Sequence, residues 1–408
     1  IKQLWSPVQI MNTSVDKQFD GKFSVENRYD FLNLNTCRFL WKQVKFPTAT
    51  DASNTTAQVL KQGEVQGSDV AAHSAGVLDI KTTILPDADA LFLTAIDRYG
   101  HELWRWTFPV NKLNQANEVL SPLSNKVTST ETENELTVKA KNHTFIFSKK
   151  DGQLKGVSVN NRKISFANGP RFIGARRADR SLDQFYNHDD EKAKEKDRTY
   201  SEFPDAAVFT KLDVKEDGGN LIVTADYKLG NLDKVQWTIN PNGEAVLDYT
   251  YNFSGVVDLM GICFDYPEDQ VISKRWLGAG PYRVWQNRIH GTQYDVWEND
   301  YNDPIPGETF TYPEFKGYFG SVSWMNIRTK EGTISLTNET PDAYIGVYQP
   351  RDGRDRLLYT LPESGISVLN VIPPVRNKVN STDLCGPSSQ PKWVNGPQSG
   401  RIIFRFME

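Results

Sequence analysis

The sequence predicts an all-β protein built of two antiparallel sandwiches, and three observations carry that prediction. Short stretches alternate apolar and polar residues from the first fifty positions to the last eight, with no sustained 3.6-residue period. The apolar side chains are mainly aromatic: 10 Trp, 16 Tyr and 21 Phe stand against 4 Met, a balance that suits pleated sheets more than helices. At 408 residues the chain exceeds one ordinary core, so two domains are expected, over residues 1–122 and 123–408.

In the first domain Phe23 and Val25 alternate. Phe31, Leu32 and Leu34 follow a polar turn at 27–30, and Cys37, Phe39 and Trp41 continue with period two. Residues 48–58 are polar and read as a hairpin loop. Residues 77–86 and 90–110 supply further strands, the last with Trp104, Trp106 and Phe108 on one face. Short strands at about 8–12-residue spacing point to an immunoglobulin-like sandwich. Residues 111–126 read as a linker.

The second domain continues with strands over 135–140, 143–148 and 151–164, where Asp151-Gly152 and Asn160-Asn161 mark hairpin turns. Further strands are read at 221–229, 235–243, 245–255, 332–339, 343–350, 365–373 and 401–408. About fifteen strands without intervening helices require a large antiparallel sandwich rather than a parallel sheet. The charged segment 176–198 has no apolar stripe and reads as a solvated loop of the kind that edges ligand sites.

Several function classes fall away on composition. The 47 basic and 51 acidic residues are interspersed at net charge -4, so a nucleic-acid partner is not expected. No run of 18 apolar residues exists, so no membrane partner is expected. Cys37, Cys263 and Cys385 lie far apart and lack metal-ligand spacing; buried free thiols are expected. The chain opens on Ile1, which suggests processing or a longer parent.

Candidate chemistry concentrates between Trp276 and Trp324, with four Trp and five Tyr among amides, carboxylates and guanidinium groups. Aromatic faces beside donors and acceptors suit a neutral, hydroxyl-rich ligand. The candidate saccharide contacts are Arg283, Trp285, Asn287, Arg288, His290, Tyr294, Trp297 and Glu314. Alternation would put Arg283, Trp285 and Asn287 on one strand face and Tyr282, Val284 and Gln286 on the other. His290 with Glu314 offers an alternative acid/base pair. The acids of 295–303 could suit Ca²⁺, but their spacing is not that of a calcium loop; no cofactor is expected.

Three phrases, IKQLWSPVQI (1–10), FSVENRYDFLNL (23–34) and DRYGHELWRWTFPV (97–110), resemble the domain that follows the catalytic barrel in family 2 glycoside hydrolases of the β-galactosidase type. TFIFSKKDGQLKGVSVNNRKISFANGPR (144–171) and WLGAGPYRVWQNR (276–288) are similar to the last domain of those enzymes, a galactose mutarotase-like β-supersandwich. The resemblance implies an immunoglobulin-like sandwich followed by that supersandwich, and an upstream catalytic barrel in the same parent protein. On that reading this chain binds saccharide and braces the barrel, and by itself carries no catalytic residue. The two carboxylates of such enzymes sit on a (β/α)₈ barrel, and no alternating strand–helix pattern is present here. It also implies a late-loop aromatic near the substrate, which here is Trp393, and it fits a secreted or periplasmic setting. Two phrases depart from the family: Arg283, Trp285 and Asn287 replace Glu, Tyr and Asp, and 312–317 reads Tyr-Pro-Glu-Phe-Lys-Gly. Galactose specificity therefore does not carry over. The rival expectations are a stand-alone aldose mutarotase using His290 and Glu314, and a purely structural module.

Overall fold

A computed structural model describes residues 2–51, 56–110, 126–177, 200–300, 317–347, 362, 364–374 and 386–408. The chain divides into two compact units. The first comprises Ile1–Gln115 with two later pieces, Leu277–Gly280 and His290–Trp297; the second holds the rest.

The first unit has two antiparallel sheets among its described residues. One orders Val8–Ile10, Lys22–Asn27 and Ser74–Asp79; the other orders Gln58–Gln66, Arg38–Lys45, Ala90–Ile96 and Glu102–Pro109. Phe39 and Trp41 turn inward, and Phe23 meets Phe108 at 5.1 Å between ring centroids. Phe31 is 94 % exposed and lies outside any strand. The backbone leaves the ladder at Asn27, whose side chain accepts from Tyr29 N (3.0 Å) and donates to Leu32 O (2.9 Å), closing a turn where alternation had suggested a strand. The piece His290–Trp297 joins this unit through specific contacts. Gly291 N donates to Gln3 Oε1 (2.7 Å), Tyr294 sets its ring edge-on to Phe46 (5.6 Å), and Asp295 pairs with Arg105 (3.0 Å).

The described part of the second unit is a sandwich of two large antiparallel sheets. The first runs Tyr344–Val347, Ile366–Val371, Leu259–Asp265, Ala167–Arg177, Leu154–Val159, His143–Ser148, Glu135–Ala140, Thr128–Glu131, with two short strands off this path. The second centres on Ala245–Val257, flanked by Leu232–Ile239 and by the 16-residue strand Lys392–Met407. Ala245, Leu247, Tyr249, Tyr251 and Phe253 alternate inward. Rings from the two sheets meet, Phe147 with Trp237 (6.2 Å) and Phe264 with Phe404 (5.5 Å), and Phe166, between two strands of the first sheet, packs on both Phe264 (4.6 Å) and Phe404 (5.2 Å). Such pairs add about 0.5–1.5 kcal/mol each beyond buried area. Asn160 and Asn161 both have positive φ (49° and 64°), the geometry of a tight hairpin turn that Asn tolerates.

Two differences from the sequence reading have physical causes. The last strand begins at Lys392, nine residues before the expected Arg401, because pairing with Ala245–Val257 overrides the Gly396, Pro397 and Gly400 punctuation. Trp393 is thus a strand residue opposite Val256, not a loop residue. Most of 176–198, Cys385, and the acids and aromatics of 301–316 lie outside the described residues.

Candidate functional site

The strand Val271–Gly280 ends where Pro281 removes a ladder donor. The chain then folds back: Val284 and Tyr318 exchange two backbone hydrogen bonds (2.7 and 2.9 Å). Trp285 and Arg288 close a tight turn (2.8 and 3.3 Å), with Gln286 and Asn287 at its tip. The expected alternation fails here. Val284 and Trp285 are neighbours in sequence and both are buried, because the segment is a turn whose base inserts into the core.

Trp285 is only 2 % exposed. It stands edge-on to Tyr318 (5.6 Å) and belongs to a cluster with Ile173, Cys263, Leu369 and Ile372. That ring has no open face for a sugar, which corrects its expected role as a contact. Arg283 is buried too, its guanidinium 5.2 Å from the Phe319 ring centroid, a cation–π seat inside the protein. Both residues support the turn from below.

The tip is clasped to a second segment, the short turn Pro387–Ser389. Gln286 Nε2 donates to Ser388 O (3.0 Å) and Gln390 O (2.7 Å), Gln286 N donates to Pro373 O (3.1 Å), and Asn287 Nδ2 donates to Ser389 Oγ (3.1 Å). Trp393 follows Gln390 by three residues, at most about 10 Å of extended chain, and is 70 % exposed. Tyr282, Arg288 and Ile289 are also exposed on this turn. In the second unit the tip residues Gln286 and Asn287 thus grip the segment that leads within three residues to Trp393, while Arg283 and Trp285 lie buried at the base of the turn.

The remaining candidates divide otherwise. His290 (exposed), Tyr294 and Trp297 belong to the first unit. There Trp297 Nε1 donates to Gly278 O (3.2 Å) and Gln293 O (3.1 Å), which fixes the indole as a structural brace. Glu314 lies outside the described residues, so the His290–Glu314 pair does too. Asp295 turns onto Arg105, and burial pushes its carboxyl up from the usual range against the pull of that guanidinium. Among the described residues no three His, Cys, Asp or Glu side chains converge as metal ligands. The thiol of Cys263 is buried; burial raises its pKa, so it is held protonated and unreactive.

The clasped surface presents polar and aromatic groups, and its titratable side chains are Tyr282, Arg283, Arg288 and Lys392. Residues 281–289 and 386–393 contain no carboxylate and no histidine. They offer an exposed indole, a guanidinium and amides already oriented by backbone bonds. Sequence reasoning missed Gln286, Ser389 and Gln390. Their signal was the pairing of an amide-tipped turn with a Gly/Pro-marked turn a hundred residues later, which no local pattern reveals.

The family model described as β-galactosidase small chain matches residues 139–371. A galactose 1-epimerase from Lactobacillus acidophilus aligns over 70% of this chain and 99% of its own, at 9% identity and a TM-score of 0.38. An aldose epimerase homologue from C. elegans aligns over 69% and 99%, at 7% identity and a TM-score of 0.33. No curated protein matches the chain.

Proposed function

Since the chain belongs to the β-galactosidase small-chain family, we propose that it is the saccharide-contacting and bracing portion of a family 2-like glycoside hydrolase. In this reading the cleaving carboxylates reside on a barrel carried by the same parent protein. This chain contributes a rigid sugar-facing surface at the 281–289 and 386–393 clasp. The observation that carries the reading is the clasp itself: Gln286 and Asn287 are pinned by three side-chain hydrogen bonds beside a largely exposed Trp393. An exposed indole offers an apolar face on which a sugar ring can stack, and the Asn287 amide, already oriented by Ser389, loses little entropy on meeting a hydroxyl.

Saturation-transfer NMR with lactose tests it, using the wild type and Trp393→Ala. Saturable transfer in the wild type, weakened about tenfold or more in the variant (about 1.4 kcal/mol), supports the reading. Hydrolysis of an aryl galactoside by this chain alone would overturn the bracing role, as would equal transfer in both proteins.

A further inference from the structure

The four-stranded sheet of the first unit has an apolar outer face. Phe39 and Trp41 of Arg38–Lys45, and Leu91, Leu93 and Ala95 of Ala90–Ile96, belong to the core cluster on one side of the sheet. Alternation sends their neighbours Leu40, Lys42, Val44, Phe92, Thr94 and Ile96 to the other side. The outer face of an antiparallel sheet is ordinarily polar, yet four of these six residues are apolar. Strand pairing keeps the set together: Leu40 stands opposite Thr94, Lys42 opposite Phe92, and Val44 opposite Val59 of the neighbouring edge strand.

A groove of about 410 Å³ lies on this face, inside the range of ligand pockets, about 300–1,000 Å³. Its lining is mainly apolar, and Leu40, Val59 and Ile96 keep part of their surface open to water. Four charged side chains also line it, and three of them are matched. Asp295 pairs with Arg105 (3.0 Å), whose guanidinium also lies 4.7 Å from the Phe92 ring centroid, and Glu102 pairs with Lys2 (3.3 Å). The fourth, Lys42, is exposed and meets no carboxylate among the described residues. It stands between Leu40 and Val44 on the same strand face. The groove thus joins an apolar bed to one uncompensated positive charge.

We propose that this groove binds a small aromatic carboxylate, its ring against Leu40, Val59 and Ile96 and its carboxylate on the Lys42 ammonium. Apolar contact supplies the bulk of the attraction, and a charge-assisted hydrogen bond fixes the orientation. A saccharide is poorly served, since Thr56 and Thr94 are the only neutral polar side chains among the described lining residues. A cation would find both acids already paired. Every lining residue belongs to the first unit and none is shared with the clasp, so the site does not depend on the function proposed above.

The experiment uses the full chain, with 3-phenylpropanoate as the probe and 3-phenylpropanamide as its uncharged comparator, followed by saturation-transfer NMR. Saturable binding of the acid with a Kd below about 1 mM is expected. Lys42→Met keeps most of the side-chain stem and removes the charge; it should weaken the acid about tenfold, to the level at which the amide binds the wild type. Val59→Glu, at a position 44 % exposed, sets an anion in the groove and should abolish binding while leaving the melting temperature unchanged. Absence of saturable binding of the acid, equal binding of acid and amide, or binding indifferent to Lys42→Met or to Val59→Glu overturns the proposal. So does a wild-type dimer in sedimentation that Val59→Glu converts to monomer, because the face would then be covered by a second copy of this chain.

Discussion

Replacing Trp285 by alanine separates a core residue from a ligand contact, and the structure sets the expected size of the effect. A buried Trp hides about 150–250 Å², which at about 25 cal/mol per Å² corresponds to about 4–6 kcal/mol. That is an upper bound, because the unfolded chain already hides part of the area. Measured truncations of this kind cost about 3–5 kcal/mol, and the edge-on pairing with Tyr318 lies within that range. Trp285 Nε1 has no hydrogen-bond partner, so Trp285→Phe loses no bond and should cost only about 1–2 kcal/mol. The assay is urea unfolding followed by near- and far-UV circular dichroism, read on the transition of the second unit. A loss below about 1 kcal/mol for Trp285→Ala would refute the core assignment. Full stability with lost sugar binding would restore the contact role expected from sequence.

Further outcomes follow from the second unit. Arg405 and Glu244 form a nearly buried ion pair, with Thr337 Oγ1 accepting from Arg405 Nη1 at 3.0 Å. Arg405→Met should cost about 3–5 kcal/mol by stranding the carboxylate, and adding Glu244→Leu should recover most of it in denaturant melts. His143 is half-buried, and that burial lowers its pKa, with Nε2 donating to Phe406 O at 2.8 Å. Between the lowered value and about 6.5 the unfolded state binds more protons, so stability falls as pH drops through that window. His143→Phe should flatten the pH profile of the melting temperature there. A Cβ at Gly317 would meet Val284 O and, at 2.9 Å, Trp285 Nε1, so Gly317→Ala should destabilise the turn by about 1–3 kcal/mol in the same melts.

The sheets were more legible than the site. Phe39 and Trp41 showed their strand directly, because one face meets the core and the other meets polar surroundings, whereas Cys37 ends the turn before it. The Asn160-Asn161 turn was readable because few residues accept two successive positive φ angles. The start of the last strand was not, since Gly396, Pro397 and Gly400 act locally as breakers while a thirteen-residue partner strand holds them in register. Arg283, Trp285 and Asn287 were expected on one strand face, but they lie in a turn that buries the first two and leaves Asn287 at its tip. Whether a Trp stacks a ligand or plugs a core depends on what lies beneath it, here Tyr318, Leu369 and Ile372 from later in the chain. Membership of the first unit for 290–297 rests likewise on long-range partners such as Gln3, Phe46 and Arg105.

The most direct test of the account is a map of which side chains respond to lactose. In two-dimensional ¹⁵N NMR of the full chain, the Trp393 indole and the Gln286 and Asn287 side-chain amides should shift together and saturably. The Trp285 indole should move little, being shielded beneath them. Lactose that leaves the Trp393, Gln286 and Asn287 signals in place would contradict the claim that this clasp faces saccharide.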